Sequence, residues 1–483
     1  MADCNYAEMP NEMKNKANST SNQKTAEQFQ QAIVTKTVEA PAVALDKTIK
    51  TTHDIGRRLN NDKTIKKGRD YWRNLGPGLT TGASDDDPSG IATYSQAGAQ
   101  FGFHMLWLAA FTFPLMSVVQ EMCARIGLVT GRGLAGNIRK VYSRRMLNIC
   151  AILLFGANAF NIGADLGAMA QGVKLIFPHS STSLLLVGFT ILMIGLQIFT
   201  PYERYAKYLK WLAMVLLAYI LSAILAHLNW PDVLKHSVVP SITFSKESIL
   251  LICAILGTTI SPYLFFWQTS QEIEDKIIQG KTTIASRQEE VSKPEMHSMR
   301  VDVWTGMLLS NLVMFFIIAT CGALLFSHGI HNITSAAQAA EALRPFAGSS
   351  TYTLFAIGIV GTGMLAIPVL AGSSSYAIAE ALKKQGSLSK KLKQAYAFYG
   401  VIIISMLVGL AINFIGINPI KALIYAAVAN GIVAPVVLVF ILLISSNKDI
   451  MGKWVNKPLT SILGWLITII MAVAGVAAIF TLF

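Results

Sequence analysis

The chain has 483 residues, 53% of them hydrophobic and only 14% charged, with a mean hydropathy of +0.48. A soluble domain averages about 25% charged residues, so the composition excludes an ordinary soluble protein and points to an integral membrane one. The net charge of +13 does not indicate a nucleic-acid partner, because the basic residues sit in short stretches between apolar runs.

Residues 1–70 are rich in Asn, Gln, Lys, Thr and Ser and have no sustained apolar period, which reads as a disordered cytoplasmic tail. The start lacks the basic–apolar–cleavage order of a removable signal peptide. Apolar segments of spanning length then recur at 75–101, 104–129, 147–177, 183–200, 211–228, 248–270, 303–326, 352–382, 394–414, 419–444 and 460–483, eleven in all. The basic residues alternate between the connections. Arg57, Arg58, Lys63, Lys66, Lys67, Arg69 and Arg73 precede the first segment. Arg132, Arg139, Lys140, Arg144 and Arg145 follow the second; Arg204, Lys207 and Lys210 follow the fourth. Later clusters follow the sixth, eighth and tenth segments, whereas 178–182 has no Lys or Arg and 327–351 has only Arg344. This alternation predicts a multi-pass protein of the plasma (inner) membrane, with its N-terminus in the cytoplasm and its C-terminus outside. Cys4, Cys123, Cys150, Cys253 and Cys321 show no paired spacing, and four of them fall in apolar segments, where packed free thiols are expected.

The first segment holds the main anomaly: Asp85, Asp86 and Asp87, followed at once by Pro88, Ser89 and Gly90. A carboxylate at mid-membrane costs roughly 2.5–3.5 kcal/mol on insertion scales. The proline and small residues break a helix at the same point and free backbone groups that need partners. The sixth segment echoes this with Gly257, Thr258 and Thr259 ahead of Ser261, Pro262 and Tyr263. Five segments separate the two motifs, so they lie in halves of opposite topology, as in a transporter built from inverted repeats. The expected repeats cover about 75–230 and 248–446, with 460–483 as an extra helix. Candidate metal ligands are Asp87, Asp86, Gly90 through its carbonyl, Thr258, Ser261 and Asn430. All are oxygen donors, which suit hard cations such as Mg2+, Ca2+ or Mn2+.

Each candidate has a plainer alternative. Asp85 and Asp86 could be solvated in a vestibule or paired with a base. Asp165 could relay protons or hold a second cation, or could be a structural partner of Arg125. Asn430 could ligate through its amide oxygen or only hydrogen-bond across helices. Glu121 and Arg125, one turn apart, read as an internal pair, and Glu380 as interfacial. None of the eight histidines reads as a ligand. No nucleophile–base constellation or nucleotide loop argues for an enzyme, and no resident cofactor is expected.

The run from Gly76-Pro77-Gly78 through Asp87-Pro88 to Ala97-Gly98-Ala99-Gln100-Phe101-Gly102, then Ala124-Arg125-Ile126-Gly127-Leu128-Val129-Thr130-Gly131-Arg132, resembles the natural resistance-associated macrophage protein (NRAMP) family of divalent-metal transporters. Leu354-Phe355-Ala356-Ile357-Gly358 adds to the likeness. The resemblance implies an all-α, LeuT-like membrane fold of two inverted five-helix repeats, with metal held between broken first and sixth helices. It also implies Asp87 as the metal-binding aspartate.

The departures from that pattern are directional. Gly90 stands where the family has Asn, Ser261 where it has a ligating Met, Tyr263 where it has His, and Thr258 where it has Ala. Asp165 matches a family aspartate, but Ala168 replaces the glutamate one turn on. Loss of the thioether removes the ligand that favours softer metals. Loss of the His and Glu removes groups the family is thought to use for protons. The pattern resembles the NRAMP-related magnesium transporter branch and implies import of Mg2+ and Mn2+ with weak or no proton coupling. The rivals are a proton-coupled Mn2+/Fe2+ transporter of the ordinary type, an organic-solute transporter on the same fold, and a metal-sensing receptor. The expected partners are divalent ions and the bilayer; a monomer is compatible with the sequence, which leaves the oligomeric state open.

Overall fold

The computed structural model describes residues 76–200, 217–226, 228–288, 290–384 and 386–482. The tail expected over 1–70, the basic run before the first segment, and Arg204, Lys207 and Lys210 lie outside the described residues. All regular structure among the described residues is helical. The longer helices are α1 Pro77–Asp85, α2 Pro88–Phe101, α3 Leu106–Thr130, α4 Leu134–Val141, α5 Arg144–Ile176, α6 Thr182–Phe199, α7 Leu217–Leu225 and α8 Trp230–Val238. They continue as α9 Lys246–Thr259, α10 Pro262–Ile278, α11 Lys293–Leu324, α12 Thr351–Ala381, α13 Tyr396–Ile412, α14 Pro419–Ser445 and α15 Pro458–Leu482.

The expected spans map onto these helices, with the first formed by α1 and α2 and the sixth by α9 and α10. By length and composition, nine stretches among the described residues can cross a membrane. Two features account for the difference from eleven. The turn Gly102–Met105 joins α2 and α3 into one stretch, Pro88–Thr130. The fifth span is described only as the short α7.

Several helices run past the apolar segments that announced them. Ser143 caps α5 by accepting from the Met146 amide at 3.3 Å, which places Arg144 and Arg145 in the first turn rather than a loop. Ser292 and Glu295 cap α11 reciprocally, with Pro294 in the first turn. Such caps satisfy the free amides of a helix start, so a helix need not end where its apolar face does. Lys276, expected in a basic loop, is buried in α10; its Nζ donates to the carbonyls of Leu128 at 2.7 Å and Arg287 at 2.9 Å.

Helices meet through small residues, as membrane packing favours. A Cβ on Gly82 would lie 2.2 Å from the Gly306 carbonyl oxygen, so α1 and α11 touch backbone to backbone. A Cβ on Gly257 would lie 2.1 Å from the Ala427 oxygen, which brings α9 equally close to α14. The pairings follow a two-fold repeat: the first span packs on the seventh, the sixth on the second, and the third on the eighth. Large apolar side chains left exposed, such as Leu184, Ile191 and Phe199 on α6 and Ile462, Ile469 and Phe480 on α15, line the outside of the bundle where lipid would lie.

The connections after the second, sixth and eighth spans line one cavity. The connection after the tenth joins them in a neighbouring cavity that shares Arg132. Four of the basic connections thus gather at one end. The opposite end is not wholly bare, since Lys235 lies on α8, which packs against the Gly102–Met105 turn.

Candidate metal site at the paired helix breaks

Both broken spans are interrupted in the same way. Between α1 and α2 the chain passes through Asp86 (φ −83°, ψ 55°) and Asp87 (φ −72°, ψ 171°) before Pro88 restarts the helix. Between α9 and α10 it passes through Ile260 (φ −119°, ψ 61°) and Ser261 (φ −82°, ψ 133°) before Pro262. Asp87 and Ser261 therefore occupy matched positions, each just ahead of a proline that fits the first helical turn because it has no amide to leave unpaired. The two breaks are also in contact. Tyr263 donates its hydroxyl to the Ser84 carbonyl at 3.3 Å. A Cβ on Gly90 would lie 3.2 Å from Thr258 Oγ1 and 3.4 Å from the Asp85 carbonyl oxygen.

Asp87 caps α2. Its Oδ1 accepts from the Gly90 amide and the Ser89 hydroxyl, both at 2.7 Å. Its Oδ2 accepts from Asn161 Nδ2 of α5 at 2.8 Å. A carboxylate at a helix N-terminus also meets the positive end of the helix dipole. Asp85 and Asp86 turn elsewhere. The Ser310 hydroxyl on α11 lies 2.6 Å from Asp85 Oδ2 and 3.3 Å from Asp86 Oδ1. The three consecutive aspartates are thus divided between α5 and α11. They are neither solvated nor paired with a base: Asp86 is 4% exposed, and no ion pair to Asp85, Asp86, Asp87 or Asp165 is formed among the described residues.

The other candidates fall into place around the breaks. The Ser261 hydroxyl turns its proton onto the Gly257 and Thr258 carbonyls at 2.7 and 2.8 Å, which leaves the oxygen's lone pairs available. The Gly90 carbonyl is not freed by the break; it belongs to the first turn of α2 and points along that helix. Gly90 provides room beside Thr258 instead. The freed carbonyls are those at the end of α1. Asn430 is buried on α14, one residue before Gly431, which abuts Gly257, and neither atom of its amide has a hydrogen-bond partner. Asp165 lies one turn beyond Asn161, whose Nδ2 is 3.5 Å from its Oδ2, and Asp165 Oδ1 is buried without a partner.

Among the described residues no three His, Cys, Asp or Glu side chains converge to hold a metal on their own. A cation at these breaks would need a mixed set of carboxylate, carbonyl, hydroxyl and amide oxygens, the kind of set hard dications accept. Buried carboxylates with no base beside them, and orphaned oxygens on Asp85, Asp165, Asn161 and Asn430, fit such a ligand.

A family model described as natural resistance-associated macrophage protein-like (Nramp) matches residues 78–481. The chain belongs to the Nramp family. It is similar to the divalent metal cation transporter MntH of Clostridium acetobutylicum, at 25% identity over 414 residues covering 85% of this chain and 91% of that protein. The MntH of Caldanaerobacter subterraneus is 24% identical over 420 residues, covering 85% and 94%. The crystal structure of the Eremococcus coleocola manganese transporter matches with a TM-score of 0.64 at 20% identity, over 83% of this chain and 85% of that one. The structure of MhsT in complex with L-phenylalanine matches with a TM-score of 0.51 at 12% identity, over 85% and 98%. These two likenesses establish the LeuT-like fold.

Within this Nramp chain, two residues at the site were not singled out from sequence. Asn161 carried a signal, since it stands one helical turn before Asp165 in the middle of a membrane-spanning helix. Ser310 carried none beyond being polar in an apolar run. The expected pairings of Arg125 differ, and Glu380 has partners the sequence did not name. Arg125 partners Asn456 rather than Asp165 or Glu121. Glu121 takes Arg300 at 2.9 Å and the Trp304 indole at 3.0 Å, both from α11. Glu380 accepts the Gly133 and Gly136 amides at 3.1 and 2.7 Å and so caps α4, across the molecule from its own helix.

Proposed function

We propose that this protein moves divalent metal cations across the membrane by alternating access, with Mg2+ and Mn2+ as favoured cargo and weak or absent proton coupling. The observation that carries the reading is the matched pair of breaks, with Asp87 on one and the hydroxyl-bearing Ser261 on the other. The names of the MntH relatives and of the Eremococcus coleocola manganese transporter support the cargo class. An oxygen-only set does not select for softer metals, and the groups that the resemblance links to proton passage are Tyr263 and Ala168 here. The basic end faces the cytoplasm on this reading, and the cargo enters from the other end. The chain does no covalent chemistry.

A second reading has one observation behind it. Met169 Sδ of α5 and Pro88 Cγ lie 2.6 and 3.4 Å from the point that a Cβ on Gly363 would occupy. A thioether therefore sits near the first break, and it would favour Mn2+ or Fe2+ transport of the ordinary type. Uptake into proteoliposomes separates the two. Saturable Mg2+ and Mn2+ flux without lumen acidification is expected. Flux of Cd2+ or Fe2+ with none of Mg2+ or Mn2+ would overturn the selectivity, and acidification that tracks uptake would overturn the coupling.

A further inference from the structure

The basic end of the molecule contains a cavity of about 730 Å³. It is walled by the Gly131–Arg139 connection, the inner half of the sixth span (α10), the end of α12 and the loop that follows it. Six cationic side chains line it: Arg132, Arg139, Arg287, Lys383, Lys384 and Lys390. Loop charge alone explains basic residues at this end. It does not explain why they surround a concavity, nor how the two carboxylates among the described lining residues are used.

Both carboxylates have their oxygens taken up by neutral donors. Glu274 Oε1 accepts from the Tyr376 hydroxyl at 2.7 Å and the Leu388 amide at 3.1 Å. Its Oε2 accepts from the Ser387 and Ser389 hydroxyls at 2.8 and 2.6 Å. Glu380 is occupied by the Gly133 and Gly136 amides. Arg139 donates to the Glu380 carbonyl at 2.6 Å, and Arg287 to the Gly131 and Thr282 carbonyls at 3.1 and 2.9 Å, so these guanidinium groups are held by backbone oxygens and six cations face two carboxylates among the described lining residues. Arg132 Nε is buried without a hydrogen-bond partner. Burial and the neighbouring Arg132 charge press Arg287 below the usual guanidinium range, against the pull of Glu274 and Glu380. Lys383 is held at φ 59°, in the left-handed region that a lysine rarely adopts.

We infer that this cavity binds an oligophosphate group, carried by a soluble nucleotide or by a lipid headgroup. The volume is that of a small-molecule site. Guanidinium and ammonium groups converging from three separate connections match the charge and the many acceptor oxygens of such an anion. The apolar Ile273, Ile277 and Ile284 in the same wall offer a surface for a base or a glycerol backbone. The bound anion bridges α10 to the loop after α12. Since α10 begins at Pro262, beside Ser261, occupancy holds the basic end closed beneath the metal site.

The test is titration of inorganic triphosphate into the purified protein in buffer free of divalent ions, so it stands whether or not the transport reading does. Saturable binding is expected, weakened roughly tenfold in Lys383→Gln/Lys384→Gln. Neither lysine's side chain forms a hydrogen bond or ion pair among the described residues, and Arg132→Gln gives a second variant. Hydrogen exchange of 282–287 and 383–384 should slow on binding in the wild type. A parallel arm uses nanodiscs with phosphoinositide bisphosphate against phosphatidylcholine alone. Exchange that slows only with the phosphoinositide, and less in the lysine variant, assigns the site to a headgroup. Failure of both probes to bind, or binding undiminished in the folded variants, overturns the inference.

Discussion

Asp87 is hydrogen-bonded by Ser89, Gly90 and Asn161, yet it is buried with no base to neutralise it. Its charge, rather than its capping, is what the proposed function needs. Asp87→Ala should abolish Mn2+ uptake, and Asp87→Asn, which keeps an acceptor for the cap, should abolish it as well; normal flux in the Asn variant would remove the charge from the mechanism. Asn161→Ala removes a donor from a buried carboxylate, a loss of about 1–3 kcal/mol. That should raise the Mn2+ concentration for half-maximal uptake roughly tenfold. An unchanged half-maximal concentration would make Asn161 a bystander. Ser261→Met restores a thioether at the second break, and Cd2+ should then compete with Mg2+ uptake where it does not in the wild type. Failure of Cd2+ to compete would place selectivity elsewhere.

At the scale of elements, the first span depends on how tightly α1 lies on α11. Asp302 of α11 accepts from the Gly76, Gly78 and Leu79 amides at 2.8, 2.6 and 3.2 Å and so caps α1 from a different helix. Losing a capping side chain costs about 1 kcal/mol. Asp302→Ala should speed hydrogen exchange at 78–81 while leaving α12 protected, which mass spectrometry of peptides would resolve; equal protection in both would show that the cap does not hold α1. Gly82→Ala puts a Cβ into the Gly306 carbonyl and should prevent assembly of the bundle, seen as loss of the monodisperse species on size exclusion. The breaks themselves were legible in the sequence because Pro and Asp are conspicuous in an apolar run. The partners were not: nothing in the local pattern says that Asp85 and Asp86 turn to Ser310 or that Glu380 caps α4. These depend on which distant helix arrives alongside.

At the scale of the molecule, the spacing of apolar segments was enough to lay out the spans seen among the described residues, because the bilayer imposes a length that the segments reveal. It did not reveal how far the paired breaks are closed off. Asp87 is 1% exposed, Ser261 0% and Thr258 1%, so the site is shut off from both ends. A Thr258→Cys variant should therefore react slowly with a membrane-impermeant thiol reagent, and its labelling rate should change when Mn2+ is supplied. Rapid labelling regardless of metal would mean that the closed arrangement is not the resting one.

The two breaks share a backbone and differ in charge, and that inequality has a consequence for how such a protein can change over generations. The half that bears Asp87 has little latitude, since any uncharged replacement removes the carboxylate that caps α2 at the break. The half that bears Ser261 presents an uncharged side chain at the equivalent point. On the proposed function, cargo preference can drift there by single substitutions, while the capacity to hold a dication stays with the other half.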